Sequence, residues 1–373
     1  MNKKIIKIGI VFLNILYSFY KLAGQNNQLL IVSRQSDEPS IDIRLIKAII
    51  ENVGHIDVKV MCRHKSSDTS FDLSYFRYMS GPLMREFARS KVVLLDGYCI
   101  PASILKHRRN LKIVQMWHAM GAFKKFGYEL VGKQEGHSEE LAQLMRMHKN
   151  YDYVLVSSKA CIKPMSRAFG CDESIIKVLP PPKVDFIKWE PYKLQAASDI
   201  KSVYDIQDKK LILYAPTFRR DGREVEYMRA LADAIDYDKY NLVIKPHPIS
   251  EYPNDCKGAI LDRQFSSTHW LSVCDAVVTD YSAFILEAAI SGKPIYRFVP
   301  DIEEYEDVRG FFDGVLDEFP GEAFKDAAQM IRAIDNQNCD MDKVAAFADK
   351  YLEDGDNAAR EVVIFLESLV DEE

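Results

Sequence analysis

Short apolar runs recur along the chain, and between them apolar residues return every three or four positions. The runs QLLIVSR, DVKVMCR, KVVLLDG, KIVQMWH and YDYVLVSS are rich in β-branched residues and read as parallel strands buried on both faces. The intervening IDIRLIKAIIENVG and GPLMREFARS carry helical periodicity. Repeated β-α-β units predict a doubly wound sheet. The stretch VLPPPKVDF then breaks both periodicities, and a helical linker follows at about 190–207. The alternation restarts with KLILYAPTF, YNLVIKPHP, GAILD, DAVVTDYS and PIYRFVP, a second parallel sheet. The segment from Met341 to Leu369 reads as an acidic helix closing the second domain. The predicted class is therefore α/β, two doubly wound parallel-sheet domains facing a central cleft, with a boundary near 185–200.

The first 24 residues form a third segment. Lys3, Lys4, Lys7 and Lys21 stand there without an acid, around a mostly apolar run from Ile8 to Tyr20. Signal-peptide cleavage chemistry is missing, and the run is short for a membrane span. At about 100° per residue, Lys3, Lys4, Lys7, Asn14, Ser18 and Lys21 share one polar sector. That is the pattern of a helix lying in a membrane surface, its lysines toward anionic headgroups. A first helix packed on the domain core is the competing reading. The expected division is 1–24, 25–190 and 191–373.

Composition narrows the classes. At 373 residues and 47% hydrophobic the chain is long for a single core. A net charge of −6 argues against nucleic acid as a partner of the whole surface. Seven cysteines, scattered and without a CxxC pair, argue for reduced thiols and against a disulfide framework. Against the acidic balance, the segment from Gly97 to Tyr128 has no Asp or Glu and carries Lys106, Arg108, Arg109, Lys112, Lys124 and Lys125. Such a field attracts a phosphorylated substrate or an anionic membrane, although a charge run is commonly only a solvated face.

The chemistry sits where predicted strands end, which is where open α/β sheets bind ligands. His118 follows KIVQM and precedes the Ala119-Met120-Gly121 turn, well placed for a general base working near neutral pH. Its neighbour Trp117 reads as packing. In Lys245-Pro246-His247-Pro248 the prolines fix the backbone around His247, and Lys245 and His247 are both candidate donors to an anion. The run Thr279-Asp280-Tyr281-Ser282 opens a helix whose N–H groups favour phosphate, with N-capping by Asp280 or Ser282 the simpler role. Glu287 is placed to hold a ribose hydroxyl or to face a neighbour, and the residues leave both open. Thr217 and Arg219 follow another strand end and carry phosphate-binding chemistry. No GxxxxGK[ST], GxGxxG or HExxH run occurs, so the sequence demands neither a cofactor nor a metal.

Together, VQMWHAMGAFKKFG, LYAPTFRRDG, VIKPHP, VVTDYSAFILEAAISGKPI and YEDVRGFFDG...EFPG resemble, in that order, the CDP-glycerol glycerophosphotransferase family of teichoic-acid primases and polymerases. The resemblance runs from about Lys91 to Gly321. It implies a GT-B-type fold of two Rossmann-like domains. The N-terminal one would bind the acceptor and the C-terminal one a CDP-alcohol. It implies that His118 deprotonates the acceptor hydroxyl and that His247 contacts the donor diphosphate. Thr217, Arg219, Lys245, Asp280, Ser282, Glu287 and Arg309 (followed by Gly310) fall on the donor side. Trp117, Gly121, Lys124 and Lys125 fall on the acceptor or membrane side. Where many members have Trp-His-Gly-Thr-Pro this chain has Trp117-His118-Ala119-Met120-Gly121, and Ala283 replaces a second serine.

The expected function is transfer of glycerol phosphate or a related polyol phosphate from a CDP-alcohol to a hydroxyl of a lipid-linked saccharide or polymer, releasing CMP. The expected partners are the donor, that acceptor and an anionic membrane surface, with homo-oligomer formation left open. The expected location is peripheral, at the cytoplasmic face of the cell membrane. Two other readings are a GT-B glycosyltransferase using a nucleotide sugar and a non-catalytic scaffold in polymer export. Two strand-end histidines argue against the scaffold.

Overall fold

The computed structural model describes residues 3–64, 72–133, 136–247, 250–253, 256, 258–353, 355 and 357–372. Pro248 of the KPHP run lies outside the described residues. The chain forms two compact units, one of residues 1–118, 125–183 and 353–373, the other of residues 119–124 and 184–352.

Unit 1 is built on β1 (Gln28–Ser33), β2 (Asp57–Cys62), β3 (Val92–Leu95), β4 (Lys112–Gln115), β5 (Tyr153–Val156) and β6 (Ile176–Val178). They form one parallel sheet in the order β2-β1-β3-β4-β5-β6. Every residue of β1 and β3 is buried, as the apolar runs predict, because helices cover both faces. The strand order reverses between β1 and β3, so their carboxyl ends, Ser33 and Leu95, flank the switch point where such sheets bind ligands.

Helix α1 (Lys3–Lys21) buries only Leu13 and Tyr17. The sequence places Asn14 and Lys21 in the headgroup-facing sector; the structure turns them to the protein. Asn14 donates to the Ile104 carbonyl at 3.1 Å and accepts from the Lys106 N–H at 2.7 Å. The Lys21 ammonium donates to the Lys106 carbonyl at 2.9 Å. With its polar side tethered, the helix exposes Ile5, Ile8, Val11, Phe12, Ile15 and Phe19, and Leu22 continues this face. No described helix is long and apolar enough to cross a membrane.

The last helix corrects the expected boundaries. Residues 353–373 belong to unit 1, because the helix Ala358–Asp371 packs Val362, Val363, Leu366 and Leu369 into the core of Leu29, Ile31, Ile46, Val92 and Leu94. Helix α2 (Ile41–Val53) supplies the rest of that layer, starting where Ser40 accepts the Ile43 N–H and ending at Gly54, whose φ of 80° suits glycine.

Unit 2 is built on β7 (Lys210–Ala215), β8 (Tyr240–Ile244), β9 (Ile260–Leu261), β10 (Ala276–Thr279), β11 (Ile295–Phe298) and β12 (Ala323–Phe324). The order is β12-β11-β10-β7-β8-β9, all parallel. Its reversal falls between β7 and β10, which places Thr217 and Asp280 just beyond the switch point. Ile212, Tyr214, Met228, Leu231, Leu242, Ile244, Val278 and Phe298 form its core.

A short segment also departs from the expected division. Residues 119–124 belong to unit 2, although His118 before them and Lys125 after them belong to unit 1. Phe123 explains it. Its ring is buried against Phe319 (5.3 Å between centroids), Phe347 (5.4 Å) and Tyr351 (4.9 Å). The Phe312 N–H donates to the Phe123 carbonyl at 2.9 Å, and Lys124 bridges Phe311.

Candidate active site

In unit 1, His118 stands just beyond the carboxyl end of β4, exposed to solvent. Its Nδ1 lies 3.1 Å from the Asp96 carbonyl and 3.2 Å from the Gln35 amide. A carbonyl only accepts, so Nδ1 carries the hydrogen in the Asp96 contact and the basic lone pair lies on Nε2. Asp96 follows β3 at the switch point, so its carbonyl orients the ring.

The residue before it is strained and braced. Trp117 adopts φ 63°, the left-handed region an indole-bearing residue rarely enters. Its N–H donates to Gln115 Oε1 at 2.9 Å, while Gln115 Nε2 donates to the Gly97 carbonyl and to Tyr151 Oη, each at 3.1 Å. Tyr151 Oη is in turn 3.0 Å from His148 Nδ1. The indole stacks on Phe126 at 4.6 Å and meets Phe169 edge-on at 5.4 Å. Packing is thus what holds Trp117 in the structure. His148, ordinary in the sequence, is the buried end of this network, and burial pushes its imidazole down to about 3, so it stays neutral. Gln115 and Tyr151 carried no motif that would have marked them.

In unit 2, Thr217 and Asp280 meet at the switch point. The Thr217 N–H and hydroxyl both donate to the Asp280 carboxylate, at 2.8 and 2.6 Å. Arg219 joins them from within the core, with only 6% of its surface exposed. Its Nη1 donates to Asp280 at 2.8 Å, and its Nε and Nη2 clasp Asp301 at 2.6 and 3.0 Å. Tyr281 Oη also donates to Asp301 at 3.0 Å, and its ring stacks on Tyr305 of the helix α3 (Ile302–Val308) at 4.2 Å. Arg219, Asp280 and Thr217 therefore form a framework rather than a row of open phosphate ligands. Asp301, its fourth member, sits after β11 in a run with no motif.

Lys245 is likewise engaged. Its ammonium lies 3.1 Å from the Asp262 carboxylate. Asp262 is fully buried and also accepts from Tyr204 Oη and Trp270 Nε1, at 2.7 and 2.9 Å. His247 is exposed on one side, with its ring 6.0 Å from that of Phe218. Crowding on its other side and the Lys124 and Arg309 cations push its pKa down to about 4, against the pull of Asp280. It is neutral at pH 7.

Ser282 accepts the Phe284 N–H at 3.3 Å, two residues before the helix Phe284–Ile290, whose N-cap position is Ala283. Glu287 within it is buried and accepts from the Thr268 hydroxyl at 2.6 Å. Arg309 ends α3, and Gly310 follows with φ 73°. Gly121 has φ 74° and lies under the Phe123 ring, so a Cβ would fit neither the backbone nor the space. The structure thus gathers Thr217, Arg219, Asp280, His247 and Arg309 near one edge, and leaves Lys245 and Glu287 with partners of their own.

Two doubly wound sheets, each with polar side chains gathered at its carboxyl edge, place the chain in the GT-B class of transferase folds. The solved structure of the wall teichoic acid polymerase TagF superposes with a TM-score of 0.77 at 16% identity, over 99% of this chain and 97% of that one. In sequence, residues 18–367 match the family of CDP-glycerol:poly(glycerophosphate) glycerophosphotransferases. The chain is 27% identical over 363 residues to the teichoic acid ribitol-phosphate primase of Bacillus spizizenii, covering 94% of this chain and 93% of that protein. It is 29% identical over 289 residues to the teichoic acid glycerol-phosphate primase of Bacillus subtilis, covering 75% of this chain and 74% of that protein. The chain belongs to the CDP-glycerol:poly(glycerophosphate) glycerophosphotransferase family and is an enzyme of that class. This decides for a phosphotransferase over a glycosyltransferase or a scaffold.

Proposed function

We propose that the enzyme moves a polyol phosphate, glycerol phosphate or ribitol phosphate, from its CDP ester to a hydroxyl of a lipid-linked saccharide or growing polymer. The observation that carries the reading is the His118 imidazole, exposed at the carboxyl edge of β4 with Nδ1 on the Asp96 carbonyl. In the reaction Nε2 of His118 takes the acceptor proton. The acceptor oxygen then bonds to the β-phosphorus, and the bond from that phosphorus to the bridging oxygen breaks. CMP leaves with the electron pair and with negative charge that His247 and the amides around Ser282 help to stabilise. Arg219 supports this step by holding Asp280 and Thr217 in place.

A donor panel tests the reading. CDP-glycerol or CDP-ribitol should raise the melting temperature of the purified protein, and UDP-sugars should not. CMP should then appear in step with polyol phosphate on the acceptor. Stabilisation by UDP-sugars with silence toward both CDP-alcohols defeats it.

The same proposal includes a peripheral membrane location, supported by the outward apolar face of α1. Ile5, Ile8, Phe12, Ile15 and Phe19 project from a helix tethered by its polar side, and Lys4, Lys7, Lys106 and Arg109 are exposed in the same unit. Each large apolar side chain taken up by lipid contributes about 1.5–3 kcal/mol. Phe12→Glu with Phe19→Glu should lower co-flotation with phosphatidylglycerol vesicles at least ~10-fold, without a lower melting temperature. Undiminished flotation of the folded double variant refutes this anchoring.

A further inference from the structure

Three donors that the sequence assigns to phosphate are committed elsewhere. The Arg219 fork goes to Asp301 and Asp280, and the Lys245 ammonium goes to Asp262. Thr217 has one hydroxyl hydrogen, and at 2.6 Å it goes to Asp280. Toward Lys124 the Thr217 oxygen is consequently an acceptor, and the Lys124 ammonium donates to it at 3.2 Å. The same ammonium lies 5.2 Å from the Tyr305 ring centre.

We propose that Lys124, with His247, holds the diphosphate of the donor in unit 2, so that Lys124 serves the donor and not the acceptor. This rests on the reading of the chain as a CDP-alcohol phosphotransferase. The backbone of Lys124 is fixed by its bridge to Phe311 and by the burial of Phe123, and from there its ammonium reaches the Thr217 hydroxyl. Lys124 contacts Thr217, and the His247 ring faces that of the next residue, Phe218. Two groups from distant parts of the sequence are thereby anchored on consecutive residues beyond β7. Arg309, from the end of α3, adds a further cation whose field reaches His247. Holding like charges together around a neutral imidazole costs electrostatic energy, and a bound dianion reverses the sign of that cost.

The test uses the full chain and two kinds of probe, the CDP-alcohols (CDP-glycerol and CDP-ribitol) and inorganic pyrophosphate, titrated calorimetrically. Lys124→Ala should weaken both by about 10- to 100-fold, the range of a hydrogen bond to a charged group. Lys124→Arg should restore most of the affinity, and Lys239→Ala, at an exposed lysine of the same unit, should change it less than ~2-fold. The acceptor KM should stay within ~2-fold in Lys124→Ala, and the His247 imidazole should titrate at higher pH in that variant without ligand. An unchanged affinity for both probes together with a raised acceptor KM overturns the inference. If the wild type binds pyrophosphate but no CDP-alcohol, and Lys124→Ala loses pyrophosphate, the inference stands and the donor assignment falls. If the wild type binds neither probe, both fall.

Discussion

Replacing His118 with alanine is expected to lower the rate of polyol-phosphate transfer by about 10²- to 10⁴-fold, the contribution of a positioned general base. Fold and donor affinity should be nearly untouched. The side chain is exposed, so its removal leaves no cavity, and the residues proposed to hold the donor lie in unit 2. His118→Gln sharpens the experiment. A glutamine amide keeps hydrogen-bonding capacity at the Nε2 position but has no basic nitrogen, so it should fail as badly as alanine. The measurement is CMP release coupled to transfer, at saturating donor and acceptor, beside the melting temperature. Recovery of most activity in His118→Gln would show that the ring acts by hydrogen bonding alone. Near-wild-type turnover in His118→Ala would remove it from the chemistry.

The sheets were legible because β1, β3, β4, β7, β8 and β10 are buried runs of Val, Ile and Leu, and only a parallel sheet covered on both faces consumes such runs. The strands β6 and β12, three and two residues long, were not among the predicted runs. Placement was harder than type. An amphipathic helix at 358–371 declares its apolar face, but nothing local tells it to seek Leu29 and Leu94 over the nearer sheet. Phe123 is similar: the segment around it reads as a basic run, and its partners lie some two hundred residues away at Phe319, Phe347 and Tyr351. The site followed the same division. Strand ends pointed to Thr217, Asp280 and His118, and the structure places them just beyond β7, β10 and β4. Which donors remain for a ligand is a property of pairing, and Asp301 and Asp262 carry no signature.

Arg219→Met is expected to destabilise unit 2 by about 3–5 kcal/mol, because it leaves the Asp280 and Asp301 charges buried without their partner. Both carboxylates are more than nine-tenths buried, and methionine fills the space of the arginine stem while offering neither charge nor donor. The pH dependence separates this cause from lost packing. Burial by itself would raise the Asp301 pKa, but hydrogen bonds from Arg219, its charge and the Tyr281 hydroxyl outweigh burial and hold it below the usual carboxylate value. A depressed folded-state pKa means that in the wild type this stabilisation is present above the unfolded value, about 3.9, and is lost as pH falls through the folded one. In Arg219→Met burial acts unopposed by the guanidinium, the folded pKa rises above the unfolded one, and the sign reverses: the variant loses stability as pH climbs above about 4. The stability gap between the two proteins should therefore widen from pH 5 to pH 8 in urea unfolding. Arg219→Lys should fall between them, since an ammonium keeps the charge but cannot clasp Asp301 while reaching Asp280. A gap of the same size at both pH values would show that Arg219 acts through its bulk, and the framework at the β7–β10 switch point would then owe its geometry to packing and not to the paired charges.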